Sequence, residues 1–92
     1  MDEMKRNVLI ENMVSNLPTL RKKINISQEG LAIMIGVSRS TIATIENKKK
    51  NMTWNMFLSL ILIFTKNEET DKLLNVMEIY TDELNEYIKN KK

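Results

Sequence analysis

Residues Gln28–Glu46 read Gln-Glu-Gly-Leu-Ala-Ile-Met-Ile-Gly-Val-Ser-Arg-Ser-Thr-Ile-Ala-Thr-Ile-Glu, and the fold is decided there. Ser27, just upstream, is a natural N-cap, because its hydroxyl can accept one of the orphan N–H groups of a first helical turn. It predicts a helix over Gln28–Ile35. Gly36 stops that helix, since glycine takes the positive φ of a tight turn without steric cost. Ser38 caps the next helix, Arg39 to about Asn47. Ala32 is small where the two helices cross closely, and Leu31, Ile35, Val37, Ile42 and Ile45 supply apolar contacts that fix their angle. Ser38, Arg39, Ser40, Thr41 and Thr44 are left as a polar set on the second helix.

Working outward, Thr53 caps a helix over Trp54–Thr65 that is apolar on nearly all sides and therefore expected to be buried. Asn67 caps a last helix to about Lys89, with Glu68, Glu69 and Asp71 in its first turn, where the helix dipole favours negative charge. Upstream, Asp2 to about Ser15 places Met4, Val8, Met13 and Leu17 near one helical face. Pro18 follows. It either opens a short helix through Ile24, the better fit to proline at a first helical position, or kinks one long helix by removing the hydrogen bond to Val14. No run alternates apolar and polar residues between turn signals, so the helical period dominates. The expected fold is all-α: a five-helix domain with an extra N-terminal helical segment and a long C-terminal helix. Residues 1–92 form a single domain in this reading, its core over about 17–65.

The chain has 92 residues, none of them cysteine or histidine. Disulfides, zinc sites built from these residues, and Ser-His-Asp or Cys-His nucleophiles are thereby excluded. No cofactor or metal site is implied, and the chain is not expected to be an enzyme. The net charge is +2, but it divides unevenly. Residues 18–52 hold seven cations against Glu29 and Glu46, +5 in all; residues 67–88 hold seven carboxylates against Lys72, −6 in all. A basic part followed by an acidic one suggests a polyanion partner for the first and a different task for the second. The longest apolar run, Met56–Phe64, is interrupted by Ser59 and far short of the ~20 residues that span a bilayer. The N-terminal MDEMKRNVLIENM lacks a long apolar core and a small-residue cleavage site. A cytoplasmic location and no membrane partner are expected.

Two short helices joined by a glycine turn, the second with a polar face, form the helix-turn-helix pattern, whose second helix enters the DNA major groove. Residues from about Leu17 to Phe64 resemble the Xre/Cro-like, phage-repressor type of this domain. The matching pieces are Leu20-Arg21, Ser27-Gln28-Glu29, Leu31-Ala32, the run from Gly36 to Ile42, Ile45-Glu46-Asn47, and Thr53-Trp54 leading into the apolar helix. The resemblance implies a partner, double-stranded DNA, and roles residue by residue. Ser38, Arg39, Ser40 and Thr44 fall where the family reads base edges. Gln28, Thr41, Asn47, Lys48, Lys49 and Lys50 fall where it touches phosphates. Arg21 and Glu46 match a structural ion pair tying the first helix to the recognition helix. Three departures stand out: Gly30 lies in the first turn of its helix, Pro18 interrupts the first helix, and Lys48 stands where the family often has glycine. Trp54 is read as core or a loop anchor, and the methionines as core filler.

The implied function is a sequence-specific transcriptional regulator, a repressor that binds an inverted repeat as a homodimer. The alternative is an antitoxin or a regulator titrated by a protein partner. The dimer contact is expected on the last helix, where Leu73, Met77, Tyr80, Leu84 and Tyr87 step by +4, +3, +4, +3 as a short heptad seam. Tyr80, Leu84 and Tyr87 form its outer part. A helix of 20 residues reaches about 30 Å, further than so small a core covers. No segment looks large enough to hold a small-molecule pocket.

Overall fold

A computed structural model describes residues 1–89 and contains, within them, six helices and no strands. They are α1 (Glu3–Lys23), α2 (Gln28–Ile35), α3 (Arg39–Glu46), α4 (Trp54–Lys66), α5 (Glu68–Val76) and α6 (Asp82–Lys89). The all-α expectation is met, with two corrections to the elements.

The first is Pro18. It lies inside α1, which runs unbroken from its Asp2 cap, whose carboxylate accepts from the Lys5 N–H. The missing N–H at Pro18 costs ~3 kcal/mol. Leu9, Met13, Leu17 and Leu20 recur at helical spacing across it, and Met13, Leu17 and Leu20 are fully buried. Each buried side chain of this size is worth about 1.5–3 kcal/mol, so the continuous stripe outweighs the lost bond. The buried face also differs from the expected one. Met4 and Val8 point to solvent and Leu9 points inward.

The second correction is the C-terminal helix, which is two helices. Glu78 takes a left-handed φ of 57°, and the Ile79 N–H reaches back to the Leu74 carbonyl at 2.8 Å. Ile79 is thereby turned into the core. The chain restarts at Thr81, whose hydroxyl oxygen accepts from the Leu84 N–H. The break removes the heptad seam. Leu84 is fully buried in the chain's own core, Tyr80 is half-buried with its hydroxyl donating to Asn85, and Tyr87 packs against α1 and α4. Of the three, Leu84 is withdrawn from the surface altogether, while Tyr87 remains 36% exposed.

Phe57, Leu60 and Phe64 of α4 are fully buried, alongside Leu31, Ile42 and Ile45 from α2 and α3. At the N-terminal end of α4, Trp54 stacks on Phe57 at 4.8 Å and meets the Tyr87 ring edge-on at 6.2 Å. The Arg6 guanidinium lies 5.0 Å from the Trp54 ring centroid and donates to the Tyr87 hydroxyl. Lys5 and Glu83 pair at 2.8 Å on the surface. The hydrogen bond to Glu83 raises the Lys5 pKa above its ordinary value. These contacts tie α6 to α1 and α4. Within the described residues, no helix is long and apolar enough to cross a membrane.

Candidate nucleic-acid interface

The site is built on the packing of α2 against α3. Ser27 caps α2 by accepting from the Gly30 N–H, and Gly36 ends it at φ 79°. A Cβ on Gly36 meets nothing within 4 Å, so conformation rather than space calls for glycine there. At Gly30, by contrast, a Cβ would stand 3.0 Å from the Ile26 side chain, which explains the helix-weakening residue in that first turn. Leu31 and Ala32 on α2, and Ile42 and Ile45 on α3, are buried, while Ile35 and Val37 are half-buried at the turn.

What α3 presents outward follows from that burial. Arg39 is exposed at the first position of the helix, with Ser40 beside it. Ser38 is the N-cap: its hydroxyl accepts from the Thr41 N–H and bonds the hydroxyls of Ser40 and Thr41. Thr41 is thereby drawn into the cap and is half-buried. Thr44 donates its hydroxyl to the Ser40 carbonyl of its own helix. With that donor engaged, its oxygen can still accept, and its methyl suits the thymine C5-methyl in the major groove. Arg39 is therefore the one long, unengaged donor on this face. Its fork matches O6 and N7 of guanine.

The end of α3 is closed without glycine. Lys48 takes φ 63°, its N–H bonds the Ile45 carbonyl, and the Lys49 N–H bonds the Thr44 carbonyl, both at 2.9 Å. This is a Schellman closure with lysine at the left-handed position. It turns Asn47, Lys48, Lys49 and Lys50 onto the surface directly after the helix.

Arg21 and Glu46 meet below this surface, with side chains 12% and 7% exposed. Arg21 Nε donates to Glu46 Oε2 at 2.7 Å, a second guanidinium nitrogen donates to Oε1, and the third donates to the Ile26 carbonyl. Gln28 joins them: its amide nitrogen donates to Glu46 Oε1 at 2.9 Å. One N–H of that amide is thus committed inward and one remains for an outside acceptor. The sequence marks this link only by placing Gln28 at the first position of α2 and Glu46 at the last of α3. The Arg6–Trp54–Tyr87 stack has no sequence signal at all, because nothing in the spacing brings residues 6 and 87 together.

The family model for helix-turn-helix proteins matches residues 19–53. These are the residues from the last turn of α1 through the cap of α4, with the α2–α3 pair at their centre. Over residues 19–53 the chain carries the helix-turn-helix of the Xre/Cro-like family. The family is one of DNA-binding regulators. No curated protein and no solved structure matches the chain significantly. The match contains α2 and α3; the N-terminal part of α1 and the whole of α4, α5 and α6 lie outside it.

Proposed function

We propose that the protein is a transcriptional repressor that lays α3 in the major groove of an inverted-repeat operator as a homodimer and occludes the promoter. The observation that carries the reading is the composition of the outward face of α3. Arg39 and Ser40 are exposed on it, the Thr44 hydroxyl is turned back onto its own helix, and the lysine cluster follows at once. In this reading Arg39, Ser40 and the Thr44 methyl read bases. Gln28, Asn47, Lys48, Lys49 and Lys50 grip phosphates. Ser38 and Thr41 hold the helix start that presents them. Arg21 and Glu46 set the angle of α3 and anchor the Gln28 amide.

Eight residues of α3 are about 12 Å long, enough for a few base pairs only. Two copies related by a two-fold axis would read successive major-groove faces about 34 Å apart. Since Leu84 is core, the contact between copies has to come from other apolar surface. Leu62 on α4 and Val76 on α5 are 61% and 79% exposed and are the side chains we assign to it. Titrating labelled duplexes with wild-type protein and with Arg39→Ala tests the base-reading assignment. The variant should lose ~1–3 kcal/mol and relax preference at one position per half-site. Equal loss on every sequence would make Arg39 a phosphate contact instead.

A further inference from the structure

Three hydroxyls meet at the first turn of α3. Ser38 Oγ lies 2.9 Å from Thr41 Oγ1 and 3.1 Å from Ser40 Oγ, and it accepts from the Thr41 backbone N–H at 3.2 Å. A serine hydroxyl has one proton and two acceptor lone pairs. The backbone N–H takes one lone pair, which leaves Ser38 one lone pair and one proton for two hydroxyl neighbours. One neighbour must therefore donate to Ser38 and the other must receive from it. Two arrangements satisfy this count. In the first, Thr41 donates to Ser38 and Ser38 to Ser40, so the free proton is that of Ser40. In the second the chain runs the other way, and the free proton is that of Thr41.

Burial separates the two. Ser40 is exposed and Thr41 is half-buried. Among the described residues the Thr41 hydroxyl has no hydrogen-bond partner besides Ser38. The second arrangement leaves a half-buried donor without an acceptor. The first hands the free proton to the residue at the surface, where water or a base can take it. Leaving a donor unpaired costs most where solvent is excluded, so the first arrangement prevails. Bonds in such a chain also polarise one another, which strengthens the outward Ser40 donor.

We infer that Thr41, Ser38 and Ser40 form a one-way hydroxyl relay that makes Ser40 an outward donor and excludes cytosine from the base it faces. In the major groove guanine presents N7 and O6, adenine presents N7 and thymine presents O4, all of them acceptors. Cytosine presents only the N4 amino group, a donor. Against cytosine two donors face each other, and the Ser40 proton loses the partner that water gave it. Arg39 selects for one base through its fork; Ser40 selects against one base through the direction of its proton. That Ser40 faces a base rests on the operator reading. The direction of the relay does not.

The test has two arms. In the DNA-free full chain, exchange of hydroxyl protons with water is followed by NMR at low temperature. The Thr41 proton should exchange slowly and the Ser40 proton fast. In the second arm, the duplex that the wild-type protein selects is varied at each position of a half-site. Ser40→Ala should erase the preference at one position. There the wild-type protein should bind the duplex with cytosine on the strand Ser40 faces about five- to a hundred-fold more weakly than the other three. Thr41→Val keeps the shape and the backbone N–H but removes the proton that sets the direction. Its discrimination against cytosine should shrink, while the ranking at the other positions stays. A Thr41 hydroxyl proton that exchanges as fast as that of Ser40 overturns the relay. So does full discrimination against cytosine by a folded Thr41→Val. Cytosine bound as well as the other bases, at the position that Ser40→Ala identifies, overturns the exclusion. A slow Thr41 proton in a chain that binds all duplexes alike would leave the relay in place and refute the operator reading instead.

Discussion

Lys48 holds a left-handed backbone at φ 63° that costs a residue with a Cβ about 1–2 kcal/mol. Glycine avoids that cost but gives back about 0.5–1 kcal/mol in unfolded-chain entropy. Lys48→Gly should therefore raise stability by roughly 0.5–1 kcal/mol in urea unfolding while weakening DNA binding through the lost cation. A less stable variant would show that the lysine makes a compensating contact. The Arg21–Glu46 pair behaves in the opposite sense. Both side chains are largely buried, so Glu46→Gln strands a guanidinium and should cost about 3–5 kcal/mol. Replacing both by apolar residues, Arg21→Met with Glu46→Leu, should cost less than the single change, because no buried charge then lacks a partner. A double variant no better than the single one would mean that Gln28 and the Ile26 carbonyl supply most of what the pair provides. At this scale the sequence is legible where side chains announce themselves. Ser27, Ser38 and Thr53 are the caps that the spacing predicts, each accepting from an N–H three residues on. It is silent on hydroxyl direction: the Ser38, Thr41 and Thr44 hydroxyls each bond within their own helix or its cap.

Helix ends separate the legible elements from the others. Where glycine stands at a left-handed position, at Gly36, the boundary is plain. Asn25, Lys48 and Glu78 do the same work after α1, α3 and α5. Of these, Glu78 gives no hint, since glutamate is a good helix former. The heptad-like spacing from Leu73 to Tyr87 therefore looks continuous across a break that the backbone makes at residues 77–81. The hint that remains is Thr81 followed by Asp82 and Glu83, a cap with acidic residues in the first turn. Pro18 misleads the other way: the local rule predicts a boundary, and the buried stripe on both sides overrides it. Leu84 tests the corrected element. Leu84→Lys should destabilise the protein by about 3 kcal/mol or more, as a buried leucine is lost and a charge is placed in its stead. Because the contact lies within one chain, the loss should be the same at all protein concentrations, whereas a subunit contact would make it concentration-dependent. A folded, stable variant that merely dissociates would restore the seam as an interface.

For the whole molecule, charge separates the two halves of the chain. Arg21 is neutralised internally by Glu46, so the exposed cations of the basic part are Lys22, Lys23, Arg39 and the cluster 48–50. The acidic carboxylates gather on α5, α6 and the turn between them. If Lys48, Lys49 and Lys50 grip phosphates, replacing all three by alanine should weaken binding to every duplex alike. It should also flatten the slope of log affinity against log salt by about 0.9 per lost contact. An unchanged slope would make the cluster a solvated loop. The measurement that reaches the central claim most directly is selection of bound sequences from random duplexes by the wild-type protein, with the number of chains per duplex determined on the winners. The α3 reading predicts enrichment of an inverted repeat whose half-sites are one helical turn apart, bound by two chains. Binding without sequence preference, at equal affinity for all duplexes, would contradict it.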